Sequence, residues 1–257
     1  MTAPPRRTRI DLAYDGTDFA GWQLQPRART VQGVLEAALT TIQGGTLARV
    51  RGAGRTDSGA HARGQVADVE IATLLDDARL LRSLDAMLPG DVRPIALRTV
   101  PAAFHSQHDA VSKTYRYVLD RSTYGDPFLS RYALHHPHAM DLDAVADALR
   151  RLPGRRDWSG FVGAACPCED RVRHLTEASC GELSKDLLVF TFAADGFLTH
   201  MVRNLVGTLL DIARGHFRPQ RVDEILVSRD RTLAGPTAPA HGLCLERVDY
   251  RAEDCRP

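Results

Sequence analysis

The sequence has no apolar run of membrane-spanning length, and its first residues do not predict a secretory leader. A transmembrane helix needs about 20 consecutive apolar residues, whereas charged residues make up 25% of the 257-residue chain and interrupt it throughout. Residues 1–9 are basic and contain proline, but they lack the apolar stretch of a signal peptide. The pattern therefore predicts a protein that has no membrane segment and stays in the cytoplasm.

Cysteine is scarce and odd in number, which argues against a disulfide framework. The five cysteines lie mostly in the second half of the chain: Cys166, Cys168, Cys180, Cys244 and Cys255. Cys166, Cys168 and Cys180 could form a zinc site with His174, but the C-x-C spacing is tighter than the usual gap of about two to four residues. Free thiols are the favoured interpretation, and no metal is predicted.

Lysine is almost absent, since Lys113 and Lys185 are the only two among 33 basic residues. Arginine is the side chain best shaped to hold phosphate through two parallel hydrogen bonds. The net charge is only +1, so a nucleic-acid surface would be a local patch balanced by acidic faces elsewhere. The chain also lacks a phosphate-cradling loop and a dinucleotide glycine fingerprint, and we predict no cofactor.

Hydrophobic periodicity divides the chain into two halves of similar element order. The first half has predicted strands at 9–14, 65–71 and 92–100 and helices at 31–43 and 76–88. The second half has predicted strands at about 111–119, 171–180, 187–194 and 243–250, and helices that begin at 141, 197 and 219. The Gly-, Pro- and Cys-rich residues 153–170 are predicted to form a flexible loop.

This order predicts an α+β fold of two similar α/β halves that share a mainly antiparallel sheet, with helices on one face and a central cleft. Residues 1–108 would form the N-terminal half and carry the catalytic loop. Residues 109–257 would complete the cleft, which is a natural place for a site.

Residues 51–65, RGAGRTDSGAHARGQ, are the segment best suited to chemistry. Its glycines allow positive φ angles and a close approach of the backbone to a ligand. Asp57 lies near Arg55, and a neighbouring positive charge favours the ionised form of a carboxylate. Such a carboxylate suits attack on, or stabilisation of, an electron-poor sugar carbon. Taken alone, the segment is more simply explained as an Asp-Ser-Gly turn.

Motifs along nearly the whole chain resemble the TruA family of tRNA pseudouridine synthases. GRTDSGAHARGQVADVE at 54–70 is similar to the segment that carries the family's catalytic Asp. The other similar segments are YDGTDFAGWQLQP at 14–26, TVQGVLEAAL at 30–39, LPGDVR at 88–93, AFHSQHDAVSKTYRYVL at 103–119, HMVRNLVGTLLDI at 200–212 and RDRTLAGPTAPAHGLCLERVDY at 229–250.

The resemblance implies isomerisation of uridine to pseudouridine at positions 38–40 in the anticodon stem-loop, by a homodimer that binds tRNA. It implies that Asp57 is the nucleophile, that Tyr115 packs on the flipped uracil, that Arg203 pairs with Asp57 and that Leu243 lies beside the base. Attack at C1′, attack at C6 and a glycal route all stay open. Without the resemblance, Tyr115 and Leu243 would be ordinary half-buried or core residues, and Arg203 would belong to a solvated helix face.

Arg55 would hold Asp57 or a neighbouring phosphate. Six further arginines are candidates for RNA binding: Arg51, Arg63, Arg116, Arg121, Arg171 and Arg173. The chain departs from the family at Gln107, where an arginine is often found, and a neutral amide there cannot neutralise a phosphate.

Two other functions compete with this interpretation. A non-catalytic tRNA-binding or chaperone protein on the same fold would bind RNA with a strong salt dependence but would not need Asp57. A glycosidase would need a second carboxyl group at a defined separation from Asp57, and the sequence shows no obvious partner.

Overall fold

The computed structural model describes residues 3–163, 166 and 168–252, which form two compact units. The first unit contains the chain up to residue 111 and takes it up again at residue 245. The second unit contains residues 112–244. The sequence division after residue 108 lies close to this change of unit, but it did not anticipate that the last strand returns to the first unit.

The first unit is built on β1, which pairs antiparallel with both β3 and β4. Its sheet runs in the order β4-β1-β3-β10, and β2 pairs antiparallel with β3. Its elements are β1 (Arg6–Tyr14), α1 (Val31–Ile42), β2 (Val50–Gly52), β3 (His61–Ile71), α2 (Asp77–Met87), β4 (Val92–Thr99) and β10 (Leu243–Tyr250). Gly64 approaches the β10 backbone so closely that a Cβ there would lie 2.4 Å from the Glu246 carbonyl oxygen.

The second unit is built on a long antiparallel hairpin of β8 and β9, with β5 beside β9 and β7 beside β8. The two-residue β6 pairs parallel with the end of β5. Its elements are β5 (Ala110–Asp120), β6 (Leu134–His135), α3 (Leu142–Arg150), β7 (Gly154–Asp157), β8 (Val172–Ser184), β9 (Leu187–Ala194), α4 (Met201–Ala213) and α5 (Arg221–Ser228).

Each unit has its own apolar core, formed by alternate strand residues and one helix stripe. In the first unit, Ile10 and Leu12 of β1 are fully buried, and so are Leu35 and Leu39 on one face of α1. In the second unit the largest fully buried side chains are aromatic: Tyr117, Trp158, Phe161, Phe190 and Phe192.

The predicted mainly antiparallel α+β class is confirmed. The prediction of a flexible loop over 153–170 is wrong at its start. Residues 154–157 form β7, and Trp158, just before a short 3-10 turn, and Phe161, the last residue of that turn, are fully buried. The helix predicted from 197 begins at Met201, because His200 has a left-handed φ of 61° and an α-helix cannot pass through that conformation.

In the described part of the chain, every helix is too short or too polar to cross a membrane.

Candidate active site

The loop that carries Asp57 joins β2 to β3, and hydrogen bonds from β3 hold its beginning. The Ala53 N–H donates to the Val66 carbonyl at 2.7 Å, and the Gln65 side-chain amide donates to the Gly54 carbonyl at 2.8 Å. At the tip, the Ala60 N–H donates to the Asp57 carbonyl at 3.1 Å. Gly59 supplies the positive φ of 79° that this tight turn requires.

The segment 14–22 supports the loop from a second side. The Trp22 N–H donates to the Thr56 carbonyl at 3.1 Å, and the Ser58 hydroxyl donates to the Phe19 carbonyl at 3.2 Å. The contact requires glycine, because a Cβ on Gly16 would lie 1.9 Å from the Ala60 carbonyl oxygen. The fold therefore needs the YDGTDFAGW and RTDSG motifs together.

Asp57 itself is half-buried, while Thr56 and Ala60 on either side of it are buried. Its backbone is thus fixed while its carboxylate is not enclosed by packed side chains. Arg55 is exposed and, among the residues that the structure describes, forms no ion pair or hydrogen bond. The role of Arg55 in holding Asp57 or a neighbouring phosphate therefore stays a prediction.

A buried histidine beneath the loop was missed by the sequence reasoning. His61 is 6% exposed, and its Nδ1 accepts from the Gly16 N–H at 3.0 Å. The same nitrogen lies 3.2 Å from Asp15 Oδ1. His61 stands inside the GAHARGQ string, but its partners are more than 40 residues away in sequence, so no local pattern could reveal them.

Tyr115 lies in the middle of β5, opposite Phe192 of β9, and is 6% exposed. Its ring packs edge-on against Phe197, with 5.1 Å between the ring centroids. Lys113 precedes it by two residues, so both side chains leave the same face of the strand. Burial and, to a smaller extent, nearby Arg173 lower the pKa of Lys113 to about 8, although Asp195 opposes the shift.

Arg203 lies on the first turns of α4 and is half-buried rather than on a solvated face. Its Nε donates to the Ala238 carbonyl at 2.7 Å, and the Ala238 N–H donates back to the Arg203 carbonyl at 3.1 Å. Leu243 opens β10 directly after a short 3-10 turn and is 6% exposed. Tyr115, Arg203 and Leu243 thus belong to the second unit, whereas Asp57 and Arg55 belong to the first.

The six arginines proposed for RNA binding differ in how they are held. Arg51 is tied to the fully buried Asp68 by hydrogen bonds of 2.6 and 3.1 Å. Arg121 pairs with Glu182 at 3.4 Å and Arg173 with Asp170 at 3.7 Å, while Arg171 Nε donates to the Cys168 carbonyl at 3.4 Å.

The remaining two arginines are exposed, and Arg63 reaches Glu246 only at 4.0 Å. Arg63 and Arg116 are therefore both accessible to solvent. Gln107 is also exposed, on the short turn between β4 and β5.

The cysteine-rich segment shows no metal site in the parts of the chain that the structure describes. No group of three or more His, Cys, Asp or Glu side chains there is arranged to hold a metal ion. Burial alone would raise the pKa of Cys166, but hydrogen bonds from Cys168 and Thr199 outweigh it and lower the pKa to about 7. Cys255 lies outside the described residues.

The family model described as tRNA pseudouridine synthase matches residues 12–120 and 148–251. A relative in Streptococcus pneumoniae (strain Taiwan19F-14), named tRNA pseudouridine synthase A, is 40% identical over 95% of this chain and 98% of its own length. A relative of the same name in Streptococcus gordonii (strain Challis) has the same identity and coverage.

Among solved structures, a chain of a Cbf5-Nop10-Gar1 complex aligns with 79% of this chain and 54% of that chain. Its sequence identity is 10% and its TM-score is 0.33, which is too remote to bear on the fold.

These sequence matches cover both the Asp57 loop and α4. They place the chain in a class of enzymes, the RNA-modifying isomerases that convert uridine to pseudouridine. Within that class, the chain belongs to the tRNA pseudouridine synthase family. The resemblance inferred from the motifs is confirmed.

Proposed function

We propose that the protein isomerises uridines at positions 38–40 in the anticodon stem-loop of tRNA, with Asp57 as the catalytic nucleophile. The observation that carries the proposal is the half-buried Asp57 at the tip of a loop whose backbone is held by β3 and by the segment 14–22. The backbone of Asp57 is fixed and its side chain is only half-buried, so its carboxylate can reach a substrate, as a nucleophile must.

The reaction breaks the bond between N1 and C1′ and forms a bond between C5 and C1′. The C5 carbon loses a proton and N1 gains one, so the atoms balance without a co-substrate. Attack at C1′, attack at C6 and a glycal route each need an anionic oxygen at the tip of the loop. Asp57 is the only acidic residue in the segment 51–65 that could supply it.

Three residues of the second unit complete the proposal. Tyr115 packs on the extruded uracil, and Phe197 fixes the plane of its ring. Arg203 supplies a positive charge to Asp57, and its hydrogen bond to Ala238 supports a fixed orientation of the guanidinium. Leu243 forms an apolar wall for the base.

The partner of the proposed enzyme is tRNA bound across a homodimer in the cytoplasm. Exposed arginines such as Arg63 and Arg116 bind the phosphate backbone without reading its sequence. Recognition of the stem by shape would let neighbouring uridines enter one pocket. The free thiols of Cys166, Cys168 and Cys180 agree with a reducing compartment.

The direct test replaces Asp57 by Asn, which keeps the shape of the side chain but removes its negative charge. We expect pseudouridine formation to fall by at least about a thousandfold, while tRNA affinity stays within about tenfold, or about 1.4 kcal/mol. The matched control is Asp85→Asn, the same change at an exposed surface pair with Arg93. Appreciable turnover by Asp57→Asn would remove Asp57 from the mechanism.

The competing function is a tRNA-binding protein without catalysis, and tRNA from cells that lack the protein separates the two. Loss of pseudouridine at positions 38–40, restored by the native protein but not by Asp57→Asn, supports the enzyme. Unchanged pseudouridine with altered tRNA folding supports the chaperone instead.

A further inference from the structure

Residues 231–243, which lead from α5 to the start of β10, pack across α4 and connect two proposed site residues. Arg203 binds this segment at Ala238, and Leu243 ends it. The two residues are 40 positions apart in sequence, yet both depend on the placement of one short stretch of backbone. We call residues 231–243 the bridging segment.

Asn204 fastens the first part of the bridging segment to α4. Its side-chain oxygen accepts from the Thr237 hydroxyl at 2.6 Å and from Arg231 Nη2 at 2.9 Å. Its amide nitrogen donates to the Phe161 carbonyl at 2.7 Å. Asn204 is fully buried, and buried polar groups of this kind specify one arrangement because losing a partner leaves an unsatisfied group.

Two glycines let the bridging segment lie directly on the helix. A Cβ on Gly207 would lie 1.6 Å from the Pro236 carbonyl oxygen, and a Cβ on Gly235 would lie 2.7 Å from the Gly207 carbonyl oxygen. The Gly235 N–H also donates to the Thr208 hydroxyl at 3.0 Å. The segment therefore has little freedom to shift along α4.

Tyr117 holds the last part of the bridging segment. It is fully buried in β5, two residues after Tyr115, and its hydroxyl donates to the Pro239 carbonyl at 2.8 Å. Its ring lies against Gly242, where a Cβ would come within 2.7 Å of the ring carbons. Burial raises the pKa of Tyr117, so the hydroxyl keeps its proton and stays a donor.

We propose that Tyr117 and Asn204 are positioning residues of the reaction: through the bridging segment they hold Arg203 and Leu243 in their working geometry. The inference rests on the proposed function, since it takes the roles of Arg203 and Leu243 from it. It adds two residues that act through others, and neither is assumed to touch the substrate.

The test removes single hydroxyl groups and leaves the rings and volumes in place. Tyr117→Phe deletes the bond to Pro239, and Thr237→Val deletes the bond to Asn204. We expect each to lower kcat on tRNA by roughly tenfold or more, because small misplacements of reacting groups are costly, while KM stays within about twofold. The matched control is Tyr250→Phe, which deletes the 2.5 Å hydroxyl bond to the Ser106 carbonyl in the first unit; its kcat should stay unchanged.

A double-mutant cycle separates positioning from a general structural role. If Tyr117 acts through Arg203, Tyr117→Phe should have little further effect on kcat in an Arg203→Lys background. Additive losses, an equal kcat loss in Tyr250→Phe, or a rise in KM with unchanged kcat would each overturn the inference. A failure of the proposed function itself would give a different result, because Asp57→Asn would then retain its turnover.

Discussion

Tyr115, which we propose packs on the uracil, has a ring and a hydroxyl whose contributions two substitutions can separate. The edge-on contact with Phe197 depends on the ring alone, so Tyr115→Phe keeps the packing that the proposal requires. We expect Tyr115→Ala to lose about 1–3 kcal/mol of transition-state stabilisation, the usual range for base stacking, and Tyr115→Phe to lose less. Measured kcat/KM values check this, and equal losses in the two variants would show that the hydroxyl dominates.

Lys113 gives the protein a pH-dependent stability that can be measured. The native pKa is about 8 and the ordinary value is 10.5, so between these pH values the unfolded chain binds a proton that the native protein has released. Stability therefore rises with pH across this window, and below it the buried charge destabilises the fold. The difference in pKa corresponds to about 3 kcal/mol at most.

We accordingly expect Lys113→Met to be more stable than the native protein at pH 7.5, with a gap that narrows as the pH rises to 10. Urea unfolding at both pH values measures the gap. A gap that is constant with pH would show that Lys113 keeps an ordinary pKa in the folded protein.

At this scale the sequence could single out Asp57 as a candidate, because the motif that carries it is contiguous. It could not identify the partners of the arginines. Arg51 is held by Asp68, which stands 17 residues away and faces it only because β2 pairs with β3. The Tyr117 bond to Pro239 spans 122 residues, and no spacing rule predicts such a contact.

Among the elements, the close packing of the bridging segment on α4 gives the clearest prediction about stability. Gly207→Ala would place a methyl group 1.6 Å from a backbone carbonyl that cannot swing away. We expect a loss of about 3 kcal/mol in the free energy of unfolding, typical of severe overpacking, together with reduced activity. Gly181→Ala is the control, because a Cβ at this exposed position meets nothing within 4 Å. Equal stability of the two variants would contradict the close packing.

Helix positions were predictable where a side chain caps the first turn. Thr30, Asp76 and Asp141 each accept a backbone N–H three residues ahead, so the predicted starts of α1, α2 and α3 agree with the structure to within one residue. The short strands β2, β6 and β7 have only two to four residues, too few for an alternating pattern to show. The left-handed His200, which delays α4, has no signature in sequence.

At the scale of the whole molecule, the homodimer is the expectation taken from the family resemblance. We expect sedimentation of the active protein to show a species of twice the 28.3 kDa chain mass. The measurement should be made at the concentration used for the activity assay, because association depends on concentration. A monomer that is fully active at that concentration would contradict the proposal that tRNA lies across two copies.

The return of β10 to the first unit has a consequence for biosynthesis. The ribosome makes β3 early, but the strand that covers Gly64 is completed only after the entire second unit has been translated. During that interval β3, the strand that follows the Asp57 loop, lacks its neighbour β10 in the sheet. A nascent chain, or one shortened before residue 243, therefore carries the loop on an incomplete support, and competence for tRNA modification would arrive only after β10 has been made.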